Sequence, residues 1–306
     1  MKIKRAIVTG GAGFIGSHMV DLLIKKNFHV TVIDNFIGGH KNNIKHHLKN
    51  KNFKFVKLDI CKIDSNKYNL FKNVDYVYHF AGISAIMPSI ERPSEYMNVN
   101  IQGTVQVLEA SRKAKVKKFV YAASASCYGL NNSEIDEKTK ISTEHPYALS
   151  KFLGENAVLH WGKVYNIPVN VIRIFNAYGT RVRTTGAYGA VFAVFFKQKT
   201  QNKPLTVVGD GKQERDFVYV TDVVNAFYLA SITKKSHNIY NVGTGSPQKI
   251  ITLAKLIGGK INYIPIRHGE TKKSKADVRK IKRELKWKPE VSFKEGVNKM
   301  MNEVYK

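Results

Sequence analysis

A glycine-rich segment near the N-terminus is the feature that most constrains the fold of this chain. The run Thr9-Gly10-Gly11-Ala12-Gly13-Phe14-Ile15-Gly16 follows a strand-like segment and opens a helix-like one. In such a turn the first glycine allows the sharp bend, the second lets a phosphate approach the backbone, and the third lets the helix pack on the strand. The free amides of a helix N-terminus then bind an anion. We predict a dinucleotide-binding βαβ unit that contacts its ligand through Gly10, Gly13, Phe14, Ile15 and Gly16.

The first half of the chain alternates short β-branched or aromatic runs with longer helix-like segments, a pattern typical of a parallel sheet. The predicted strands are Arg5–Thr9, His29–Asp34, Phe53–Asp59, Val74–Phe80, Lys118–Ala123 and Asn170–Phe175. The predicted helices include Ser17–Lys26, Asn100–Ala114 and Tyr147–Tyr165. We therefore expect an α/β fold with a Rossmann-type, doubly wound parallel sheet.

The composition of the chain changes after Tyr178, where Gly, Pro and Arg become more frequent. The regular alternation of strand-like and helix-like segments is lost there. We expect residues 1–175 to form the Rossmann domain and residues 176–306 to form a smaller, interleaved α/β domain that binds the substrate. Two later strand candidates, Phe217–Val220 and Ile239–Val242, suggest that residues 217–243 return to the first domain.

The ends of the predicted strands indicate which dinucleotide is bound. Asp34 ends the second strand, where its carboxylate can accept both ribose hydroxyls of NAD and would repel the 2′-phosphate of NADP. Asp59 and Ile60 follow the third strand and are predicted to contact adenine. Phe80, Ala81 and Gly82 end the fourth strand and are predicted to pass close to the pyrophosphate and the nicotinamide ribose. The predicted cofactor is NAD.

A phenol and an ammonium lie one helical turn apart in Tyr147-Ala-Leu-Ser-Lys151. With 15 Tyr in a lysine-rich chain this spacing also arises by chance, and Tyr68 and Lys72 share it; we assign that second pair no function. The first pair differs because the strand before it ends in Ser124, and the carboxyl end of a parallel strand faces the ligand crevice. We predict Ser124, Tyr147 and Lys151 as the catalytic set.

The chemistry explains why these groups belong together. A tyrosine has a pKa near ~10, so it acts as a base near neutrality only if its surroundings favour the phenolate. We expect cationic Lys151 and the positive nicotinamide ring to lower the pKa of Tyr147. Ser124 would hydrogen-bond the substrate oxygen as it becomes a carbonyl, and Lys151 would also hold the nicotinamide ribose.

The formal net charge of +27 raises the question of a nucleic-acid partner. Its source is mostly scattered Lys, whereas phosphate forks and base readout favour Arg, and no nucleic-acid-binding motif is present. We therefore expect no nucleic-acid partner, although positive potential should attract an anionic substrate. Cys61 and Cys127 are too few for a disulfide framework, no apolar run approaches the ~18 residues of a membrane span, and no signal-like segment precedes the first strand. We expect a cytoplasmic enzyme.

The chain resembles the extended short-chain dehydrogenase/reductases, and among them the UDP-galactose 4-epimerase-like enzymes of the NAD-dependent epimerase/dehydratase family. The similarity extends from the first strand to about Gly296. Its N-terminal motifs are the glycine segment, His79-Phe-Ala-Gly82 and Asn100-Ile-Gln-Gly103-Thr104. Its C-terminal motifs are Arg173-Ile-Phe-Asn176-Ala-Tyr178-Gly179, Gly209-Asp-Gly211-Lys-Gln-Glu-Arg215-Asp216, Tyr240-Asn-Val-Gly243 and Pro265-Ile-Arg267-His-Gly269-Glu270.

The resemblance implies NAD-dependent 4-epimerisation of a UDP-hexose or UDP-N-acetylhexosamine through a 4-keto intermediate. It implies two further NAD-binding residues, Asn35 and Asn100. It implies a substrate site made of Ser84, Ser124, Asn176, Arg215, Arg267 and Ser274, with the two arginines on the diphosphate. Relatives usually form homodimers through the helices that here are Asn100–Ala114 and Tyr147–Tyr165.

Departures from related patterns bear on the alternatives. Nucleotide-sugar 4,6-dehydratases carry Thr-Asp-Glu where this chain has Ser124-Ala125-Ser126, and UDP-glucuronate decarboxylases keep a Glu at the place of Ser126. A nucleotide-sugar dehydrogenase or dehydratase and a non-catalytic, RNA-binding relative remain as alternatives. Cys127 is interpreted as a packing residue, and Thr180 stands where relatives usually have Pro. Ser274 stands where a bulky Tyr in other epimerases excludes 2-acetamido sugars, so a pocket open to N-acetylhexosamines is predicted.

Overall fold

A seven-stranded parallel sheet lies at the centre of the computed structural model, which describes residues 3–131, 133–182, 191–266 and 272–304. The strands of the chain are β1 Arg5–Thr9, β2 His29–Asp34, β3 Phe53–Lys57, β4 Tyr76–His79, β5 Lys118–Ser124, β6 Glu134–Ile135, β7 Val169–Ile174, β8 Asn176–Tyr178, β9 Leu205–Val208, β10 Glu214–Arg215, β11 Phe217–Tyr219, β12 Asn238–Val242, β13 Gln248–Lys249, β14 Ile261–Ile264 and β15 Lys275–Ala276. The sheet order is β12-β7-β5-β4-β1-β2-β3, and every neighbouring pair is parallel.

The helices cover both faces of this sheet and the C-terminal part of the chain. They are α1 Phe14–Lys25, α2 Ile86–Glu91, α3 Pro93–Met97, α4 Gly103–Lys113, α5 Pro146–Tyr165, α6 Val191–Thr200, α7 Val220–Ile232, α8 Ile250–Ile257, α9 Arg279–Leu285 and α10 Phe293–Val304. None of the described helices is long and apolar enough to cross a membrane. The predicted doubly wound α/β fold is confirmed.

Two hydrophobic cores lie on opposite faces of the sheet. Met19 and Leu23 of α1 pack with α7 on one face, while Leu108 of α4 and Val158 of α5 pack on the other. Residues of β1, β4, β5 and β7 contribute to both cores, as expected for buried parallel strands that bear apolar side chains on each face. A third core joins α6, β9, α8 and α10 in the C-terminal half.

The order of the strands positions the site. The chain proceeds outward from β1 through β2 to β3, and then returns to the other side of β1 with β4, β5, β7 and β12. The connections therefore diverge between β1 and β4, and a crevice opens beyond the carboxyl ends of these strands. The residues that follow β1, β2, β4 and β5 meet at this edge.

The later strand candidates differ in where they pair. β12 joins the central sheet beside β7. β11 instead pairs with β8 in a two-stranded sheet, so Phe217–Val220 is a strand but lies outside the central sheet. α7, which follows β11, packs on α1, β5 and β7. The boundary between residues 1–175 and 176–306 stays a prediction.

Candidate active site

The glycine turn after β1 is held in very tight contact with its surroundings. Gly10 has φ +68°, and a Cβ added there would lie 2.6 Å from the backbone nitrogen of Ala81. A Cβ at Gly16 would lie 2.2 Å from the carbonyl oxygen of Gly10. A side chain at either position is excluded, so the turn brings the start of α1 against the ends of β1 and β4.

The N-terminus of α1 is open to a ligand. Gly13 precedes the helix, no side chain caps it, and its first turn contains no acidic residue. The first amides of a helix have no partner within the helix and carry partial positive charge. Phe14 and Ile15 therefore begin a helix suited to receive an anion.

Asp34 lies at the end of β2, beside this turn, and only 6% of it is exposed. Its carboxylate accepts hydrogen bonds from the backbone N–H of Ala12 at 3.0 Å and of Phe36 at 2.7 Å. Burial raises its pKa, and these two hydrogen bonds oppose the rise. Asn35 uses its side-chain oxygen to accept the N–H of Ile37.

The end of β4 is linked to β1, the strand that precedes α1, and to α5 by hydrogen bonds. The N–H of Phe80 donates to the carbonyl of Thr9 at 3.1 Å. Asn100 is buried, accepts the N–H of Ile83 at 2.8 Å and donates to Ser150 of α5 at 2.9 Å. A Cβ at Gly82 would lie 2.8 Å from Oδ1 of Asn100.

The two residues predicted to contact adenine follow β3 in a short turn. Asp59 accepts the N–H of Cys61 at 2.9 Å and so caps the turn Ile60–Lys62. The side chain of Ile60 is buried against Gly103 of α4. Because of that packing, the main chain of Ile60 is the part left to meet a nucleotide.

The predicted catalytic set comes together at the same edge of the sheet. Ser124 ends β5 and is 8% exposed, while Tyr147 and Lys151 lie one turn apart near the start of α5. The side chain of Ser124 lies close enough to the phenol of Tyr147 to lower its pKa. Lys151 is 7% exposed, its Nζ lies 4.4 Å from the ring centroid of Tyr121, and it approaches Gly82, where an added Cβ would be 3.9 Å away.

The electrostatics correct one expectation. In the chain alone the pKa of Tyr147 is raised by burial, which outweighs the lowering by the nearby side chain of Ser124. Burial also lowers the pKa of Lys151 to about 7, against an opposing effect of Glu155. The predicted lowering of the pKa of Tyr147 by Lys151 is therefore absent, because the ammonium itself is destabilised by burial.

A buried ion pair behind the site was not found from the sequence. Glu155, one turn after Lys151, accepts two hydrogen bonds from Arg173 of β7, at 2.9 and 2.5 Å. Both side chains are at most 3% exposed. Arg173 also donates to Tyr128 at 2.8 Å, which in turn donates to Asn241 at 2.7 Å. The sequence signal that could have indicated this ion pair was a Glu four residues after Lys151, on the buried face of the same helix.

A buried histidine links three elements below the crevice and was also missed. His79 Nδ1 lies 2.7 Å from Thr9 Oγ1, and its Nε2 lies 2.9 Å from Thr104 Oγ1. Burial, with a smaller contribution from Lys151, lowers the pKa of His79 to about 3. This histidine is therefore neutral and joins the ends of β1 and β4 to α4.

The predicted substrate residues of the C-terminal half are held together by Asp216, which is fully buried. Its carboxylate accepts four hydrogen bonds, two from Thr244, one from the N–H of Gly245 and one from the N–H of Ala276. Asn176 donates its N–H to the carbonyl of Asp216 at 3.1 Å. Asp216 thus fixes the segment before Asp277 against β8 and β10; the sequence motif contained it, but no role was predicted.

We name the four hydrogen bonds to the Asp216 carboxylate the clamp. The remaining predicted substrate residues lie around it or on the opposite side of the crevice. Arg215 ends β10 and is half-buried. Ser274 is half-buried and donates its N–H to the carbonyl of Glu214 at 3.1 Å. Ser84 is exposed after β4, and its carbonyl accepts the hydroxyl of Tyr96 at 2.7 Å. Arg267 lies outside the described residues.

The residues at this edge fit a dinucleotide. The turn at Gly10 and Gly16 brings the backbone close to the open N-terminus of α1, as a pyrophosphate requires. Asp34 supplies a carboxylate beside that turn, in reach of a ribose. Lys151 and Asn100 lie further along, at the end of β4.

Comparison with known proteins agrees with this geometry. Residues 6–243 match the model of the NAD dependent epimerase/dehydratase family. A putative UDP-glucose 4-epimerase of Methanocaldococcus jannaschii is 37% identical over 304 residues, which cover 97% of each chain. The UDP-N-acetyl-alpha-D-glucosaminuronate decarboxylase of Bacillus cytotoxicus is 34% identical over 96% of this chain and 95% of its own.

A solved structure shows the same fold with ligands bound. The UDP-glucuronic acid 4-epimerase of Bacillus cereus, in complex with UDP-glucuronic acid and NAD, superposes with a TM-score of 0.90 at 31% identity. The match covers 98% of this chain and 99% of that one. A family match over most of the chain and relatives of equal length leave one conclusion: this protein is a member of the NAD-dependent epimerase/dehydratase family, an NAD-dependent enzyme that acts on nucleotide sugars.

Proposed function

We propose that this enzyme catalyses the 4-epimerisation of a UDP-hexose or UDP-N-acetylhexosamine through a 4-keto intermediate. The observation that carries the proposal is the meeting of Ser124, Tyr147 and Lys151 at the crevice, with Ala125 and Ser126 beside them instead of carboxylic acids. Oxidation and re-reduction at C4 need one proton-transferring group and no second acid.

Each residue has a role that follows from its position. The oxygen of Tyr147 takes the proton of the sugar 4-hydroxyl and later returns it. Ser124, beside that oxygen, donates to O4 as it becomes a carbonyl. Bound NAD supplies a reversible hydride acceptor, and its positive ring favours the phenolate that the chain alone disfavours. Lys151 and Asn100 are placed to hold the cofactor on the end of β4.

The dehydratase and decarboxylase alternatives would require a carboxyl group near the sugar C5 and C6. Ser126 occupies that place, and Ser124 donates to its hydroxyl at 3.0 Å. A serine hydroxyl does not protonate a departing C6 hydroxyl at neutral pH, because its own proton is far too weakly acidic. This favours epimerisation over either elimination or decarboxylation.

One incubation tests the proposal. Purified protein, with no added nicotinamide, is mixed with UDP-glucose, UDP-N-acetylglucosamine or UDP-glucuronic acid, and the products are identified by NMR. We expect many turnovers to the 4-epimer, because the hydride returns to the sugar and no external oxidant is consumed. A 4-keto-6-deoxy sugar or a pentose would refute epimerisation, and so would a reaction that stops after one turnover.

The half-buried Ser274 supports acceptance of N-acetylated sugars. A small side chain at this position, held to Glu214 by its backbone, leaves space where a Tyr would fill it. We expect Ser274→Tyr to abolish turnover of UDP-N-acetylglucosamine and to spare UDP-glucose, since the change is purely repulsive. Ser246→Tyr, at an exposed loop position, is the control. Wild-type protein that epimerises UDP-glucose but not the N-acetyl sugar would contradict this specificity.

We also propose a homodimer. α5 presents Leu149 and Leu153, which are 37% and 39% exposed, and the adjacent α2 presents Ile86, Met87 and Ile90, which are 40–54% exposed. Exposed apolar side chains grouped on packed helices are typical of an interface. Light scattering should give twice the 34.6 kDa chain mass, and Leu153→Glu should give monomers. Ile232→Glu, at a separate exposed position, should leave a dimer; a monomeric wild type would refute the proposal.

A further inference from the structure

We propose that Asp21, His46 and His47 form a binding site for a divalent transition metal ion, Zn²⁺ foremost, on the outer surface of the dinucleotide-binding half. Nε2 of His46 and Nε2 of His47 lie 2.9 and 2.7 Å from the same atom, Oδ1 of Asp21. Among the described residues, this is the one group of three such side chains whose donor atoms all lie within 4.8 Å of one another.

The donor set selects the kind of metal. Two imidazole nitrogens and one carboxylate oxygen are ligands of Zn²⁺ or Co²⁺, with a water completing a tetrahedral site. Mg²⁺ and Ca²⁺ prefer oxygen ligands alone. In the structure the two rings converge on one carboxylate oxygen, with centroids 4.1 Å apart. A metal ion between the three atoms would replace two N–H···O contacts by two N–metal bonds.

The carboxylate of Asp21 is held in a way that leaves one oxygen for the metal. Oδ2 pairs with Nη2 of Arg181 at 2.7 Å, while Oδ1 faces the two imidazoles. A hydrogen bond to the second oxygen of a ligating carboxylate orients the ligand. The guanidinium also lowers the affinity for a cation, which is why the site is expected to bind less tightly than a structural Zn²⁺ site.

The packing of the residues around the site holds its ligands in place. His47 is the more buried ligand, with a side chain 12% exposed, and its ring packs near Phe53. Ile44, at the start of the short turn Lys45–His47, is 1% exposed and anchors it in the core. Asp21 lies on α1. A bound metal would therefore link the turn to α1 and stabilise the polar, basic segment 38–52.

The site is independent of the proposed reaction. Asp21 lies well along α1, seven residues beyond the start of the helix at Phe14, and neither histidine belongs to the catalytic set. Ligand variants are therefore expected to leave epimerase turnover unchanged. Metal binding can be tested whether or not the proposed activity is found.

The test uses the full chain, freed of metal with a chelator and titrated calorimetrically with ZnCl₂ and separately with MgCl₂. We expect one Zn²⁺ per chain and no Mg²⁺ binding. His47→Ala and Asp21→Asn should each weaken Zn²⁺ binding by at least ~10-fold, the loss typical even of a ligand's hydrogen-bonding partner. His160→Ala removes one exposed imidazole elsewhere and should change nothing. Absence of wild-type binding, or equal weakening by His160→Ala, would overturn the proposal.

Two measurements on the wild-type protein keep the test decisive if a variant folds poorly. Co²⁺ should give the strong visible absorption of a tetrahedral site with nitrogen and oxygen ligands. Zn²⁺ should slow backbone hydrogen exchange within residues 41–48 and leave α8 unaffected. Weak octahedral Co²⁺ absorption together with unchanged exchange would refute the site.

Discussion

Two Tyr–Lys pairs in this chain have the same sequence spacing but different surroundings. Tyr147 and Lys151 lie one α-helical turn apart, and Lys151 is almost fully buried. Tyr68 lies in a 3₁₀ turn that ends before the exposed Lys72. Because Lys72 lies beyond the turn, with ψ 130°, the helical periodicity that brings residues four apart to one face does not extend to it. The same spacing therefore places two groups on one face only in the α-helix.

Burial is the second difference. It lowers the pKa of Lys151 to about 7 and raises that of Tyr147, so in both side chains burial disfavours the charged form. Strongly shifted pKa values are typical of functional sites, and the surroundings of the pair, more than its spacing, produce them. A buried group and an exposed group of the same type should therefore respond differently to the same substitution.

The largest effect is expected at Tyr147, the proposed catalytic tyrosine. Tyr147→Phe removes the oxygen that transfers the proton, so kcat should fall by ~10²–10⁴-fold while NAD and UDP-sugar remain bound. Tyr68→Phe should retain wild-type turnover. Initial rates and calorimetric binding measure both. If Tyr68→Phe were inactive and Tyr147→Phe active, the wrong pair would have been chosen.

The next largest effect concerns the ion pair behind the site. Glu155→Gln leaves Arg173 buried without its counter-charge, so the free energy of unfolding should fall by ~3–5 kcal/mol. The same change at Glu109, which makes a similar two-bond contact with Arg112 but is partly exposed, should cost ~1 kcal/mol or less. Urea denaturation measures both.

The ion pair has a kinetic consequence as well. Glu155 raises the pKa of Lys151, so Glu155→Gln should lower it further. Loss of the cationic form would then begin at lower pH, and the basic limb of the kcat/KM profile should move to lower pH. An unchanged profile in a folded variant would show that Glu155 acts on stability alone.

A smaller effect is expected in the pH dependence of the free energy of unfolding, where the buried His79 is compared with the exposed His160. The folded state keeps His79 neutral down to about pH 3, whereas the unfolded chain protonates it below its ordinary pKa of 6.5. The unfolded state then binds more protons, and this group should remove about 2 kcal/mol of stability between pH 7 and pH 5. His79→Gln should reduce the acid-induced loss by that amount, and His160→Gln should not. Equal pH dependence in all three proteins would contradict this role.

The smallest effect is expected for cofactor choice. Asp34→Ala removes the charge that repels a 2′-phosphate, so the preference for NAD over NADP should narrow by ~10-fold, about 1.4 kcal/mol. Asp64→Ala, which removes an exposed carboxylate, is the control. Cofactor affinities are measured on protein stripped of its nucleotide. A preference that did not change would place the discrimination elsewhere.

Local sequence patterns were sufficient to predict much of the fold. The predicted bounds of β1 and β2 agree residue for residue with the structure, because β-branched runs between a glycine turn and a polar break leave few choices. β3 instead ends at Lys57, two residues early, since Asp59 caps the following turn. The turn at Gly10 was predictable because only glycine fits its φ and its close contact with Ala81.

The sequence by itself determined the doubly wound sheet, and it was enough to predict the cofactor turn and the catalytic residues, since each depends on neighbours within one turn or one strand. Only the tertiary structure decided the pairing of Glu155 with Arg173, the links from His79 to Thr9 and Thr104, and the clamp at Asp216. These contacts join residues 18 to 70 positions apart, so no local pattern contains them. The direction of the pKa of Tyr147 was decided there too, because desolvation depends on everything packed around the phenol.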